Sequence, residues 1–325
     1  MQRLSILSCC MLLVATLVLT ANAEQRHKVV LMLDWFPNPN HVPLYVAQQQ
    51  GFFTEAGLDV TLQVPADPND PVKLAAVSKV DFAISYQPSV VIARAQGLPI
   101  TSIGVLVEHP LNTVMFMKRT GIIHPRDFKG KTIGIAVSPL GKVLFDAVAD
   151  KAGLRRGDYE YVSVGFNLSP ALLSGKVDAV VGAYKNYEKI QLELEGQEVD
   201  ILALEKHGVP DYYELLFIAS ETTLRQRPEV TQKFLQAVQR GIQLVLSDAP
   251  AALEMFFAAH ADLRDELNRR AFAATRPYYA RTQMQSEEKW RTFQDFMSKG
   301  GLIKTKTDLN KLYTNQFVKR GTRSR

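Results

Sequence analysis

The chain reads as an α/β protein of two lobes with a cleft between them. Three observations point there. From Lys28 onward, short β-branched runs alternate with longer helical patterns; the alternation restarts after Thr113; and from Thr222 the pattern is helical only. With 325 residues, 46% of them hydrophobic and 22% charged, the chain is long enough to bury two cores of ordinary size.

The elements follow in order. Residues 28–35, KVVLMLDW, are apolar enough for a buried strand. Residues 41–53 place Val42, Leu44, Tyr45, Val46, Ala47 and Phe52 at helical spacing, with Gly51 and Gly57 as punctuation, and predict a helix. Alternation predicts a strand at 58–64, then a helix at 70–80, a strand at 81–85, a helix at 88–96 with Pro88 in its first turn, and a strand at 100–107. After another strand at 113–118 the second set begins. Strands at 131–137, 159–164, 178–184 and 199–204 alternate with helices at 140–152, 169–174 and 187–195. Residues 214–219 are extended and return the chain to the first lobe, followed by helices at 229–247, 249–260, 266–274, 287–299 and 306–319. The expected boundaries are 24–115 with 216–325 for one lobe and 116–215 for the other.

Residues 1–23 have the form of a secretory signal: Arg3, an apolar run over 4–19, and Ala21-Asn22-Ala23 with small residues where signal peptidase requires them. Cleavage after Ala23 and a periplasmic location are expected. Both cysteines, Cys9 and Cys10, fall inside that leader, so the chain from Glu24 has no thiol and must rely on its core rather than on disulfides. The 38 Lys+Arg and 33 Asp+Glu are interspersed, for a net +5, and the basic run at 319–325 has no aromatic platform beside it. A nucleic-acid partner is not expected. Neither is an enzyme or a metal site, because H-E-x-x-H, G-x-S-x-G, a Cys nucleophile and metal-ligand His spacing are all missing.

Open α/β sheets bind ligands outside the carboxyl ends of their strands. That places Asp34, Trp35, Asn38 and His41 at the cleft after the first strand, Tyr86 after the third, and Glu108 after the fourth. In the second lobe it selects Ser138 and Gly141, which precede a helix whose free N–H groups suit an anion or a carbonyl oxygen, then Phe166 with Asn167, and Tyr184 with Asn186, Tyr187 and Glu188. Read singly, Trp35 could serve as a core residue and Asp34 as a helix cap, though the site reading is favoured for both, while for His41 a loop hydrogen bond is an even alternative. Together, Trp35, Tyr86, Phe166, Tyr184 and Tyr187 suit a flat aromatic ligand, and Asp34, Glu108 and Glu188 suit one with hydrogen-bond donors, such as an aminopyrimidine amine.

The segments 33–47 (LDWFPNPNHVPLYVA), 51–59 (GFFTEAGLD), 79–83 (KVDFA) and 130–134 (GKTIG) resemble the THI5/NMT1 family of the periplasmic-binding-protein superfamily. The W-x-P-x-x-x-H block is the most specific part, and the resemblance extends to about Ala252. It implies the type II fold of that superfamily, with a two-strand hinge, and one of two activities. The first is the solute-binding subunit of an ABC importer for a thiamine pyrimidine precursor, of the formylaminopyrimidine or hydroxymethylpyrimidine type. Such a subunit is expected to act as a monomer, without a cofactor, beside a permease of the inner membrane. The second is a pyrimidine synthase that consumes its own His and a bound pyridoxal phosphate with iron.

In the synthases the cofactor's Lys follows the K-V-D strand and the sacrificial His comes four residues later; the matching residues here are Ser85 and Ser89. Their C-C-C-F-C run is matched by 211–217, DYYELLF. The importer subunit is therefore the expected activity. By the same resemblance, Trp35 and Tyr184 sandwich the pyrimidine while Asp34 and Glu188 accept from its amino and amide groups. Lys185 departs from the pattern and is expected to pair with Glu188. A flavin would suit the same aromatics, whereas a nitrate or sulfonate would want converging donors.

Overall fold

The structure is a computed structural model that describes residues 26–318. The expected leader, with Cys9 and Cys10, and the basic run from Lys319 lie outside the described residues. Within them are strands β1 (His27–Met32), β2 (Leu58–Gln63), β3 (Phe82–Ser85), β4 (Ile100–Val107), β5 (Asn112–Met117), β6 (Thr132–Ile135), β7 (Glu160–Ser163), β8 (Ala179–Tyr184), β9 (Val199–Ala203) and β10 (Leu215–Ser220). They form two five-stranded sheets with helices around them, one sheet to each lobe.

The two sheets share one topology. In the first, ordered β2-β1-β3-β10-β4, β1 runs parallel to β2 and β3, and β10 runs antiparallel between β3 and β4. In the second, ordered β7-β6-β8-β5-β9, β6 is parallel to β7 and β8, and β5 lies antiparallel between β8 and β9. The antiparallel strand in each sheet is the one that has just crossed from the other lobe. Both crossings are thus anchored by strands hydrogen-bonded on two sides. β3, β4, β5 and β10 are buried at every residue, as expected of strands covered on both faces, whereas the edge strand β2 alternates buried and exposed positions.

Two expectations fail at the chain's turns. The helix expected at 41–53 is divided into a 3₁₀ turn Pro39–His41, a helix Val42–Gln49 and a short helix Phe52–Glu55, with Gly51 at φ +71° making the break. The helix expected at 306–319 is only Leu309–Leu312. Beyond it Tyr313 bridges Ser102, and the Thr314 amide donates to the Ser102 carbonyl, so the chain runs along β4. β4 is the outer strand of its sheet, and satisfying that open edge outweighs local helical pattern. A short helix Glu221–Gln226, capped by the Ser220 hydroxyl, was not foreseen.

The amphipathic helix Pro228–Ser247 covers the first lobe. Phe234 stacks on Phe82 and Phe53 and meets Phe217 edge-on, each of these rings being buried. Burying one such side chain contributes about 1.5–3 kcal/mol. The same helix lies so close to Val42–Gln49 that a Cβ on Gly241 would collide with the Pro43 carbonyl. Gly241→Ala should lower stability by about 1–3 kcal/mol, since overpacking against backbone exceeds the roughly 1 kcal/mol gained in helix propensity. A urea midpoint equal to that of the unaltered chain would contradict this packing.

Candidate functional site

Between the lobes lies a slot of about 540 Å³, its mouth included, at the carboxyl ends of β1, β3, β6 and β8. The first lobe's wall is the turn after β1. Asn38 organises it: its Oδ1 accepts from the Asn40 amide at 2.9 Å and its Nδ2 donates to the Phe36 carbonyl at 2.9 Å, while Pro37 and Pro39 restrict the backbone. Asp34, 3% exposed, is held from both sides, with His41 Nε2 2.9 Å from Oδ1 and the Tyr86 hydroxyl donating to Oδ2 at 3.1 Å. His41 Nδ1 accepts from the Asn38 amide at 3.3 Å, which assigns the ring proton to Nε2 and makes His41 the donor to Asp34. His41 is fully buried behind Asp34 and does not line the slot.

Trp35 is half-buried and does line it. Phe166 of the second lobe sits edge-on to Trp35 at 4.6 Å and also meets Phe36 at 4.6 Å. It buttresses the indole across the lobes from outside the slot.

The second lobe's wall depends on close backbone approach. A Cβ at Gly141 would strike Ile135, so only glycine lets the first turn of the helix Leu140–Lys151 rest on β6 beside the slot. Gly182, at φ +114°, donates its amide to Asn112 Oδ1 at 2.9 Å, and both residues line the slot. Tyr184 and Tyr187 supply aromatic surface. Burial pushes the Tyr187 phenol up to about 12 and the Tyr86 and Tyr184 phenols well above their ordinary range, so all three remain protonated.

Glu188 lines the slot with one oxygen, Oε2, already accepting from the Tyr184 amide at 2.7 Å. Burial, with a smaller contribution from the nearby Asp34, pushes its carboxyl up to about 7 despite that bond. Glu214, 1% exposed, is the residue that sequence reasoning missed. Its Oε2 accepts from the amides of Leu111 at 2.6 Å and Asn112 at 2.9 Å and from the Tyr212 hydroxyl at 3.2 Å; its Oε1 accepts from the Tyr184 hydroxyl at 3.1 Å. Burial pushes this carboxyl, too, up to about 7. The available signal was an acid at the head of the apolar strand expected over 214–219, a segment read for its extended crossing and its lack of cysteine rather than for Glu214.

The remaining sequence candidates take other places. Glu108 lies off the slot: its amide donates to the Tyr278 carbonyl at 2.8 Å and its carbonyl accepts from Lys289 Nζ at 2.6 Å. β10 stands between β3 and β4, which carries the end of β4 away to the sheet's edge. Ser138 is exposed and donates its amide to Asn69 Oδ1 of the first lobe at 2.8 Å, and Asn167 is exposed at the start of the helix Leu168–Leu173. Asn186 is buried behind the wall and ties the lobes, its Nδ2 donating to Asn40 Oδ1 at 2.8 Å and Thr275 Oγ1 at 2.6 Å. Lys185 pairs with Glu205 at 3.1 Å and lies over the Tyr278 ring, rather than pairing with Glu188. Of the expected residues, the slot brings together Asp34, Trp35, Asn38, Tyr86, Gly141, Tyr184, Tyr187 and Glu188, and it adds Asn40, Asn112 and Gly182. Among the described residues, no three His, Cys, Asp or Glu side chains converge as metal ligands, and no helix is long and apolar enough to cross a membrane.

The profile of the family described as NMT1/THI5 like matches residues 38–252. The chain belongs to that family. A formylaminopyrimidine-binding protein of Halalkalibacterium halodurans is 38% identical over 235 residues, which is 71% of this chain and 70% of its own. A 4-amino-5-hydroxymethyl-2-methylpyrimidine phosphate synthase of Legionella pneumophila is 31% identical over 301 residues, 92% of this chain and 94% of its own. The alkanesulfonate-binding protein SsuA of Xanthomonas axonopodis pv. citri, bound to MOPS, matches in structure with a TM-score of 0.72 over 90% of this chain and 99% of that one, at 15% identity. That likeness is one of fold, and the fold is that of the periplasmic binding proteins.

Glu214 sets a pH dependence. Its carboxyl is raised from an ordinary 4.5 to about 7 in the folded chain, so between those values the folded state holds a proton that the unfolded state has lost. Stability from this group is present below pH 4.5 and is lost as pH rises through about 7. Glu214→Gln removes the titration. Relative to the unaltered chain it should gain up to about 3 kcal/mol on going from about pH 5 to about pH 8, read from urea midpoints. Parallel pH profiles would contradict a proton buried at Glu214.

Proposed function

We propose that this chain is the periplasmic solute-binding component of an ABC importer, closing its two lobes over an aminopyrimidine of the formylaminopyrimidine or hydroxymethylpyrimidine type. One observation carries the reading: Asp34 and Glu188 enter a single slot beside Trp35, Tyr184 and Tyr187, with no lysine or arginine among the lining residues. Buried acceptors without a protein cation want a ligand that donates hydrogen bonds, and the aromatic walls want it flat. An exocyclic amine on a pyrimidine supplies both. Ring contacts of this kind are worth about 0.5–1.5 kcal/mol each, and hydrogen bonds to a carboxylate about 1.5–3 kcal/mol.

Binding is coupled to closure because neither wall is complete alone. Asp34 and Trp35 belong to the first lobe, Tyr184 and Glu188 to the second, and Tyr184 is tied through Glu214 to both crossings. A ligand held by both walls favours the closed arrangement by its differential affinity for it, and a permease reads that arrangement. The relative from Halalkalibacterium halodurans, named for binding formylaminopyrimidine, supports the same ligand class. The synthase relatives favour a different chemistry, one that the family resemblance ties to a Schiff-base lysine. Ser85 and Ser89 stand at the positions matched to the synthases' Lys and His, and no lysine or cysteine lines the slot.

Calorimetry of the chain from Glu24 with formylaminopyrimidine, hydroxymethylpyrimidine, thiamine and riboflavin tests the ligand. One pyrimidine should bind 1:1, and the absence of heat with both would sink the reading. Trp35→Ala and Glu188→Gln should each weaken binding at least tenfold without unfolding the protein, in keeping with about 1.4 kcal/mol per decade. Because ionised Glu188 accepts from an amine more strongly than the protonated acid and its carboxyl sits near 7, affinity should fall as pH drops below about 7. The Glu188→Gln variant should lack that component of the pH profile. An aldimine absorbance on adding pyridoxal phosphate would favour the synthase instead.

A further inference from the structure

A second chamber adjoins the slot, with Tyr86 and Val137 lining both. At about 680 Å³, mouth included, it is larger than the slot. Most of its surface is apolar, formed by Ile84, Ile92, Ala93 and Leu98 of the first lobe and Pro139 of the second. Its rim carries polar side chains, Asn69, Lys73 and Gln96 among them, and one polar atom lies deeper. Ser85, the last residue of β3, is 1% exposed, and its Oγ has no hydrogen-bond partner within the protein.

A buried hydroxyl left unpaired is destabilising, and alanine at the same place would avoid that cost. Ser89, 8% exposed, lines the same chamber from the first turn of the helix Gln87–Ala95, whose N-terminus carries no side-chain cap. Two hydroxyls on the chamber wall can donate to an acceptor oxygen, and they are the available donors there, since the Gln87 amide already donates to the Tyr213 carbonyl and Pro88 has no N–H.

We propose that this chamber is a second compartment of the same binding site, taking a largely apolar arm of the ligand whose carbonyl-type oxygen accepts from the Ser85 hydroxyl. It rests on the aminopyrimidine reading for the ring in the slot. Because Tyr86 and Val137 bound both spaces, a ring seated in the slot has the chamber as its neighbour. The site therefore also accommodates pyrimidines with an acylated arm larger than a single carbon, and it gives Ser85 and Ser89 a binding role in place of the lysine and histidine of the synthases.

Two probes separate the compartments: 4-amino-5-aminomethyl-2-methylpyrimidine acylated on its side-chain amine with formyl, and the same molecule acylated with benzoyl. Both are titrated calorimetrically into the full chain from Glu24 and its variants. The benzoyl compound should bind at least as tightly as the formyl compound. Ala93→Phe, which fills the chamber, should weaken the benzoyl compound at least tenfold and leave the formyl compound within about twofold. Ser85→Ala, which removes only the hydroxyl, should weaken both compounds about fivefold or more, because both carry the acyl oxygen that accepts from it. Formyl binding without benzoyl binding overturns the second compartment alone, as does unchanged binding of both probes by Ser85→Ala or an equal loss of both probes in Ala93→Phe. Binding of neither probe overturns the aminopyrimidine reading and, with it, the compartment.

Discussion

Glu214 sits in one crossing between the lobes and accepts hydrogen bonds from two amides of the other, those of Leu111 and Asn112, while its second oxygen holds the Tyr184 hydroxyl in the slot. Much of the molecule depends on that arrangement. Both crossings end in antiparallel strands, β5 and β10, locked between partners, so the short stretch between lobes is where relative motion must be absorbed. A carboxylate that binds the two stretches together makes them one unit and gives them a shared link to a slot residue. The cost is burial of a charge, which raises the Glu214 carboxyl to about 7, and the four donors around it offset that cost.

The slot follows the same logic on a smaller scale. Asp34 is committed on each oxygen to a protein donor, His41 or Tyr86, and Glu188 is committed on one oxygen to the Tyr184 amide. Their remaining acceptor capacity is fixed in direction before any ligand arrives, which lowers the ordering cost of binding. Ties outside the slot hold the lobes together at its margins: Phe166 against Trp35 and Phe36, Asn186 against Asn40 and Thr275, and the Ser138 amide on Asn69.

Where the sequence was legible, local physics and tertiary demand agreed. β-branched runs became buried strands, and residues at the ends of β1, β3 and β8 reached the slot because parallel strands deliver their carboxyl ends to one side. Where they disagreed, tertiary structure prevailed. Glu108 follows a parallel strand as Tyr86 does, but the inserted β10 moves it off the site, and strand order is not written in local pattern. Residues after Leu312 have helical spacing, yet they serve the open edge of β4. Asn112 and Gly182 became site residues through a pairing between distant strands, and Glu214 through contacts with residues about a hundred positions away. Lys185 was within sequence reach of Glu188, but the chain's turn directs it to Glu205.

The central claim, that an aminopyrimidine stacks in the slot against Trp35, has a direct optical test. The sequence has two tryptophans: Trp290 is fully buried in the first lobe's core, and Trp35 lines the slot. Formylaminopyrimidine titrated into the chain should change tryptophan emission saturably at one ligand per protein. In Trp35→Phe, which keeps an aromatic face, calorimetry should still report binding while the emission change disappears. Binding in both proteins with the same emission change, or with none in either, would place the ligand away from Trp35 and contradict the account.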